Sequence, residues 1–168
     1  MPSEAEEPFD PVPILEAFAR EGVDFVVIGG VAGGAYGSSY GTFDVDLAYG
    51  RERENLERLA AVLRSLGATL RGAPPDLPFQ LDPRTLAEGE NFTFTTRLGS
   101  VDLLAHLPGA PPYDRLRNEA TLIEIRGHRL RVASLDHLIA MKEAVGRPKD
   151  ILMASEYRAL AEEREQTD

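Results

Sequence analysis

The sequence predicts an α/β fold, in the broad sense that includes α+β, and three stretches carry the prediction. Phe25 to Ile28 is an unbroken apolar run that stops at Gly29-Gly30. It reads as a buried strand ending where the backbone turns tightly or comes close to a ligand. Phe43-Asp44-Val45-Asp46-Leu47 alternates. As a strand it sends Asp44 and Asp46 to one face and Phe43, Val45 and Leu47 to the other, apolar face. Arg51 to Leu66 sets Leu56, Leu59, Ala60, Leu63 and Leu66 on one helical stripe, and Gly67 stops it.

The remaining elements follow in order. Residues 1–10 are acidic and Pro-bearing and read as a flexible tail, with 11–168 as a single domain. Val12 to Arg20 has Ile14, Leu15 and Phe18 at helical spacing, with Gly22 as a stop. Val31 to Ser38 is a weak, Gly-rich helix whose small residues allow close packing. Ala68 to Arg71 is a short strand. Gly72 to Pro83 carries four prolines and reads as an irregular loop. Asn91 to Thr96 and Val101 to Leu107 form a hairpin around Leu98-Gly99-Ser100. Pro108 to Pro112 breaks the chain, and Tyr113 to Asn118 is a helical turn. Thr121 to Arg126 and His128 to Val132 are short strands around Gly127. Ser134 caps a helix to Val145. Gly146-Arg147-Pro148 interrupts, and Pro148 opens a last helix to about Glu163.

Composition narrows the function. A chain of 168 residues buries a real core as one domain. No apolar run approaches the roughly 18 residues of a membrane span, and MPSEAEEPFD is no signal peptide, so the expected compartment is cytoplasmic, with no membrane partner. The absence of cysteine excludes disulfides and thiolate metal sites. A net charge of −10 argues against broad, non-specific nucleic-acid binding, which needs a basic surface. Of 18 basic residues only two, Lys142 and Lys149, are lysines. A chain that writes Arg almost everywhere keeps Lys where a compact point charge is wanted, unless the pairing is chance.

Three constellations carry chemistry. Asp102, like Asp44 and Asp46, is a lone acidic residue inside an apolar strand. If its strand lies beside the Asp-Val-Asp strand, three carboxylates converge. Such hard-oxygen clusters hold Mg²⁺, and paired ions clamp the attacking and leaving oxygens of a phosphoryl displacement. The bland alternative is a solvated strand face. The second constellation is Gly29-Gly30, which can offer backbone N–H groups to a phosphate or simply make a tight turn. The G-x-G-x-x-G fingerprint and the G-K-[ST] of a P-loop are both absent. The third is Lys142 with Lys149. Lys149 sits in a helix's first turn, where the dipole disfavours a cation, so it either holds phosphates or is a solvated lysine able to pair with Asp150 or Glu143. His106, His128 and His137 have no metal-ligand spacing and read as structural or surface residues.

On these residues, Val26 to Leu47 (VVIGGVAGGAYGSSYGTFDVDL) resembles the signature of the DNA polymerase β-like nucleotidyltransferase superfamily. That signature is a strand, a Gly pair, about a dozen residues, and two carboxylates around one apolar residue. Asp102 looks like its third carboxylate. Leu138 to Leu152 is similar to the C-terminal helices of small bacterial and archaeal nucleotidyltransferase-like proteins, some of them toxins of toxin–antitoxin pairs. The resemblance spans roughly residues 22–160.

It implies a mixed β-sheet with flanking helices and a cleft for an NTP with Mg²⁺ (or Mn²⁺). Asp44, Asp46 and Asp102 would be the catalytic, metal-holding carboxylates. Gly29, Gly30, Ser39, Thr42, Lys142 and Lys149 would contact the nucleotide. The reaction implied moves a nucleoside monophosphate to a hydroxyl acceptor, for a toxin one on tRNA or on a protein, with an antitoxin as possible partner. Two positions depart from the pattern: Tyr40 stands where many relatives carry Arg, and Phe43 where a polar or basic residue is usual. A non-catalytic nucleotide- or partner-binding module on the same fold is the alternative. A third reading is an interaction protein whose acidic face meets a basic partner.

Overall fold

The computed structural model describes residues 8–74 and 76–167. Most of the expected tail, residues 1–7, lies outside the described residues. Its last part is held: Phe9 packs against the core, and Asp10 Oδ1 accepts a hydrogen bond of 3.0 Å from the Val12 N–H.

Seven strands form one mixed sheet: β1 (Phe25–Ile28), β2 (Asp44–Tyr49), β3 (Thr69–Leu70), β4 (Asn91–Thr96), β5 (Gly99–Leu104), β6 (Thr121–Ile125) and β7 (His128–Val132). The order across the sheet is β3-β4-β5-β2-β1-β7-β6. The β2–β5 and β1–β7 pairs are parallel and the others antiparallel. The helices among the described residues are α1 (Val12–Arg20), α2 (Gly29–Ala35), α3 (Arg53–Ser65), α4 (Pro83–Glu88), α5 (Tyr113–Asn118), α6 (Leu135–Val145) and α7 (Pro148–Thr167). This is the expected α/β architecture.

The two faces of the central strands divide the labour. Val45 and Leu47 pair in register with Val101 and Leu103, and Leu47 with Val27 on the other side. All five are buried. Leu15 of α1 lines the same cavity as Val27 and Val132, so α1 covers this face. On the opposite face stand Asp44, Asp46 and Asp102, with α6 laid beside them through Leu138, Met141 and Lys142. One alternating strand thus supplies both a core wall and a polar working surface.

Local chemistry sets the ends. Ser134 accepts from the His137 N–H and caps α6, as expected, and Gly146 ends it in the left-handed conformation at φ 71°. Several expectations are corrected. Phe43 is not on the apolar face: β2 begins at Asp44 and Phe43 is 83% exposed. The hairpin turn is Arg97-Leu98, and Gly99 already belongs to β5. That strand stops at Leu104, beyond which the Asn91 side chain also accepts from the Ala105 and His106 N–H groups. The Pro-rich segment ends in a helix, α4, with Pro83 at its start and Asp82 capping Thr85. Helix α7 continues to Thr167.

Candidate active site

The register of β2 and β5 brings the carboxylates together. Asp46 lies opposite Asp102, and Asp44 stands two residues earlier on the same face. Asp44, Asp46 and Asp102 each offer an oxygen, and these atoms all lie within 4.8 Å of one another. Burial and the negative charges of Asp44 and Asp102 push the Asp46 carboxyl up to about 7, with Lys142 opposing the shift. A group so starved of positive charge is what a divalent cation would relieve, and all-oxygen donors suit Mg²⁺ or Mn²⁺. The residues present therefore fit such an ion.

The glycine pair has a local explanation. Gly29 begins α2 directly after β1, at φ 68°. A Cβ there would sit 2.0 Å from Asp46 Oδ2, and one at Gly30 would sit 2.9 Å from Thr42 Cβ. A side chain at Gly29 would invade the carboxylate wall and one at Gly30 would displace Thr42, so the backbone comes close to Asp46 because nothing projects from it. Thr42 Oγ1 donates to the Asp44 carbonyl at 3.0 Å and lies 3.4 Å from Asp44 Oδ1. It fixes the strand entry and the first carboxylate.

The cations divide. Lys142 lines a cleft of about 150 Å³ together with Asp46, Gly29, Met141, Arg147 and Asp150. Asp150 is 2% exposed, accepts from Arg147 Nε at 2.8 Å and lies 3.5 Å from Lys142 Nζ. The Arg147 guanidinium holds its carboxyl below the usual carboxylate range. A buried anion thus holds two cations at the cleft wall. Lys149 is exposed and lines no part of that cleft. The expected partner Glu143 pairs instead with Arg158. Ser39 is engaged elsewhere, its hydroxyl and N–H both donating to Glu156 of α7.

Three participants escape the sequence. Arg147 and Asp150 are adjacent only because Gly146 ends one helix and Pro148 opens the next, an i,i+3 pairing that the helix boundary signals. Arg71, just past β3, reaches Asp102 with an N–O distance of 2.7 Å. It is 31 residues away in the chain, and no local pattern announces it. Of the histidines, His137 is buried and pairs with Glu119 at 3.0 Å.

Comparison with solved structures places this arrangement in a fold. The lincosamide antibiotic adenylyltransferase LnuA, solved with lincomycin bound, superposes with a TM-score of 0.57 at 11% identity, over 88% of this chain and 94% of that one. A protein from Thermotoga maritima described as a candidate nucleotidyltransferase gives 0.51 at 14% identity, over 90% and 92%. No protein-family model and no curated protein matches the sequence. The chain has the nucleotidyltransferase fold.

Proposed function

We propose that this chain is a metal-dependent nucleotidyltransferase that moves a nucleoside monophosphate from an NTP to a hydroxyl acceptor. The observation that carries the reading is the trio of half-buried oxygens from Asp44, Asp46 and Asp102 within 4.8 Å, on the sheet face beside α6. The acceptor oxygen attacks the α-phosphorus, its bond to the bridging oxygen breaks, pyrophosphate leaves, and Asp102 takes the hydroxyl proton. Asp44 and Asp46, with Asp102 completing the site, would hold Mg²⁺ or Mn²⁺, which would supply charge neutralisation at the phosphates. Gly29, Gly30 and Thr42 shape the wall beside them, and Lys142 with Arg147 meets the triphosphate. Catalysis in such a site is positioning plus preorganised charge. In this reading residues 11–168 form one catalytic unit working in the cytoplasm; among the described residues no helix is long and apolar enough to cross a membrane.

The fold-mates widen the choice of acceptor. LnuA is an adenylyltransferase of a small antibiotic, so a small-molecule hydroxyl stands beside tRNA and protein hydroxyls here. The toxin role and its antitoxin partner rest on the sequence resemblance alone. One observation favours the non-catalytic alternative: the loop from Tyr40 to Phe43, entering the carboxylate strand, carries no cation. The two readings separate when each α-labelled NTP is incubated with Mg²⁺ or Mn²⁺ and three acceptor pools: hydroxylated antibiotics, tRNA and cellular protein. Label transfer that disappears in Asp44→Asn and Asp46→Asn supports the enzyme. Nucleotide binding without transfer to any pool supports the binding module.

A further inference from the structure

Arg71 takes no part in the chemistry of the three carboxylates themselves, yet its anchoring is specific. Its backbone N–H donates to the Thr93 carbonyl at 2.9 Å, continuing the β3–β4 pairing by one residue. Its Nη2 donates to the Phe94 carbonyl at 3.0 Å and to Asp102 Oδ1 at 2.7 Å. Thr93 is itself the register partner of Asp102. The side chain therefore reaches across β4, held at both ends, to one oxygen of the third carboxylate. Among the described residues no other cation forms an ion pair with Asp44, Asp46 or Asp102. The pair is partly shielded, with side-chain exposures of 36% for Arg71 and 16% for Asp102.

We propose that Arg71 is a positioning residue for Asp102 in nucleotidyl transfer, an inference that rests on the function proposed above. Three carboxylates this close repel one another, and Asp102 stands on the strand outside the Asp44–Asp46 pair. Held by the guanidinium at one oxygen, it keeps the rotamer that turns its remaining lone pairs toward Asp46 and the ion. Groups that orient a ligand from behind typically matter by about 10–100-fold in metal affinity. The planar guanidinium fixes the directions of the two Nη2 N–H bonds, one to the Phe94 carbonyl and one to Asp102, which a freely rotating ammonium does only in part.

The test titrates Mn²⁺ by electron paramagnetic resonance of the free ion, with a non-hydrolysable ATP analogue present. Wild type, Arg71→Gln and Arg71→Lys are compared, and thermal midpoints are recorded alongside. The inference expects Arg71→Gln to bind Mn²⁺ about 10–100-fold more weakly, Arg71→Lys to fall between it and wild type, and the two variants to melt alike. Equal or tighter binding by Arg71→Gln overturns it, since Arg71 would then be only a counter-charge. Equal losses in both variants, matched by equal drops in melting temperature, also overturn it, because Arg71 would be a strut for the sheet edge. Absence of Mn²⁺ binding by wild type removes the proposed function and this inference together, whereas a failure confined to the Arg71 variants leaves the function standing.

Discussion

Asp46 holds the largest charge conflict at the site. Its carboxyl is raised from about 3.8 to about 7, mainly by burial and then by Asp44 and Asp102. The folded state therefore binds the proton more tightly than the unfolded state. This contribution to stability is fully present below the unfolded value and is lost as pH rises through about 7. Metal-free protein is expected to melt at a lower temperature at pH 8 than at pH 5. The part of that fall due to Asp46 is the difference from Asp46→Asn across the same range. Equal slopes for the two proteins would remove the conflict from the account. A bound ion reverses the trend, because the ligand must be deprotonated, so Mg²⁺ affinity rises with pH over the same window. Gly29 is the second decisive residue. Gly29→Ala sets a Cβ 2.0 Å from Asp46 Oδ2 at a positive φ. It is expected to cost at least about 2 kcal/mol and to abolish metal binding, read by thermal melting and by titration. The Gly-Gly and Asp-x-Asp pairs were visible in the sequence because local geometry demands those residues. What the sequence left open was whether the glycines served a ligand or a tight turn. Gly29 does make a tight turn at φ 68°, and both glycines also give clearance to Asp46 and Thr42.

At the scale of elements, α2 separates packing from propensity. Gly33 and Gly34 are neighbours on one short helix, but a Cβ at Gly33 meets Tyr157 Oη at 2.5 Å while one at Gly34 meets nothing within 4 Å. Gly34→Ala is expected to stabilise by about 1 kcal/mol, the helix-propensity difference, and so to raise the melting temperature by about 2–4 °C. Gly33→Ala should lower it, because Tyr157 is fully buried and has no room to retreat. The α6–α7 junction offers a sharper case. Asp150→Asn leaves Lys142 and Arg147 facing each other without their shared anion. Because Arg147 is largely exposed, the loss is that of a charged hydrogen bond, about 1.5 kcal/mol, measurable by urea denaturation. The helices were legible wherever an apolar stripe, a cap or a glycine stop was local. Helix α4 was missed because four prolines in the segment signalled a loop, although Asp82-Pro83 is itself a helix start. Phe43 was misplaced because alternation alone does not say where a strand begins.

At the scale of the whole molecule, the mixed sheet puts β2 beside β5 in parallel, although 52 residues lie between the end of the first strand at Tyr49 and Asp102. No local pattern encodes that neighbourhood, so the third carboxylate was legible only as a conditional statement about pairing. Arg71 was not legible at all, since its contact depends on β3, β4 and β5 lying side by side. The acidic balance of the chain, −10 overall, coexists with a cleft wall bearing Lys142 and Arg147. Local placement of charge, and not net charge, decides whether triphosphate can approach. In this site the three carboxylates are expected to bind a divalent ion together with an NTP. This is tested most directly by calorimetric titration of Mg²⁺ with ATP, GTP, CTP and UTP into wild type and Asp46→Asn. Wild type is expected to bind at least one nucleotide in a metal-dependent way, and Asp46→Asn to lose that binding. Binding that needs no metal and survives the substitution, or no binding by folded wild type, would contradict that expectation.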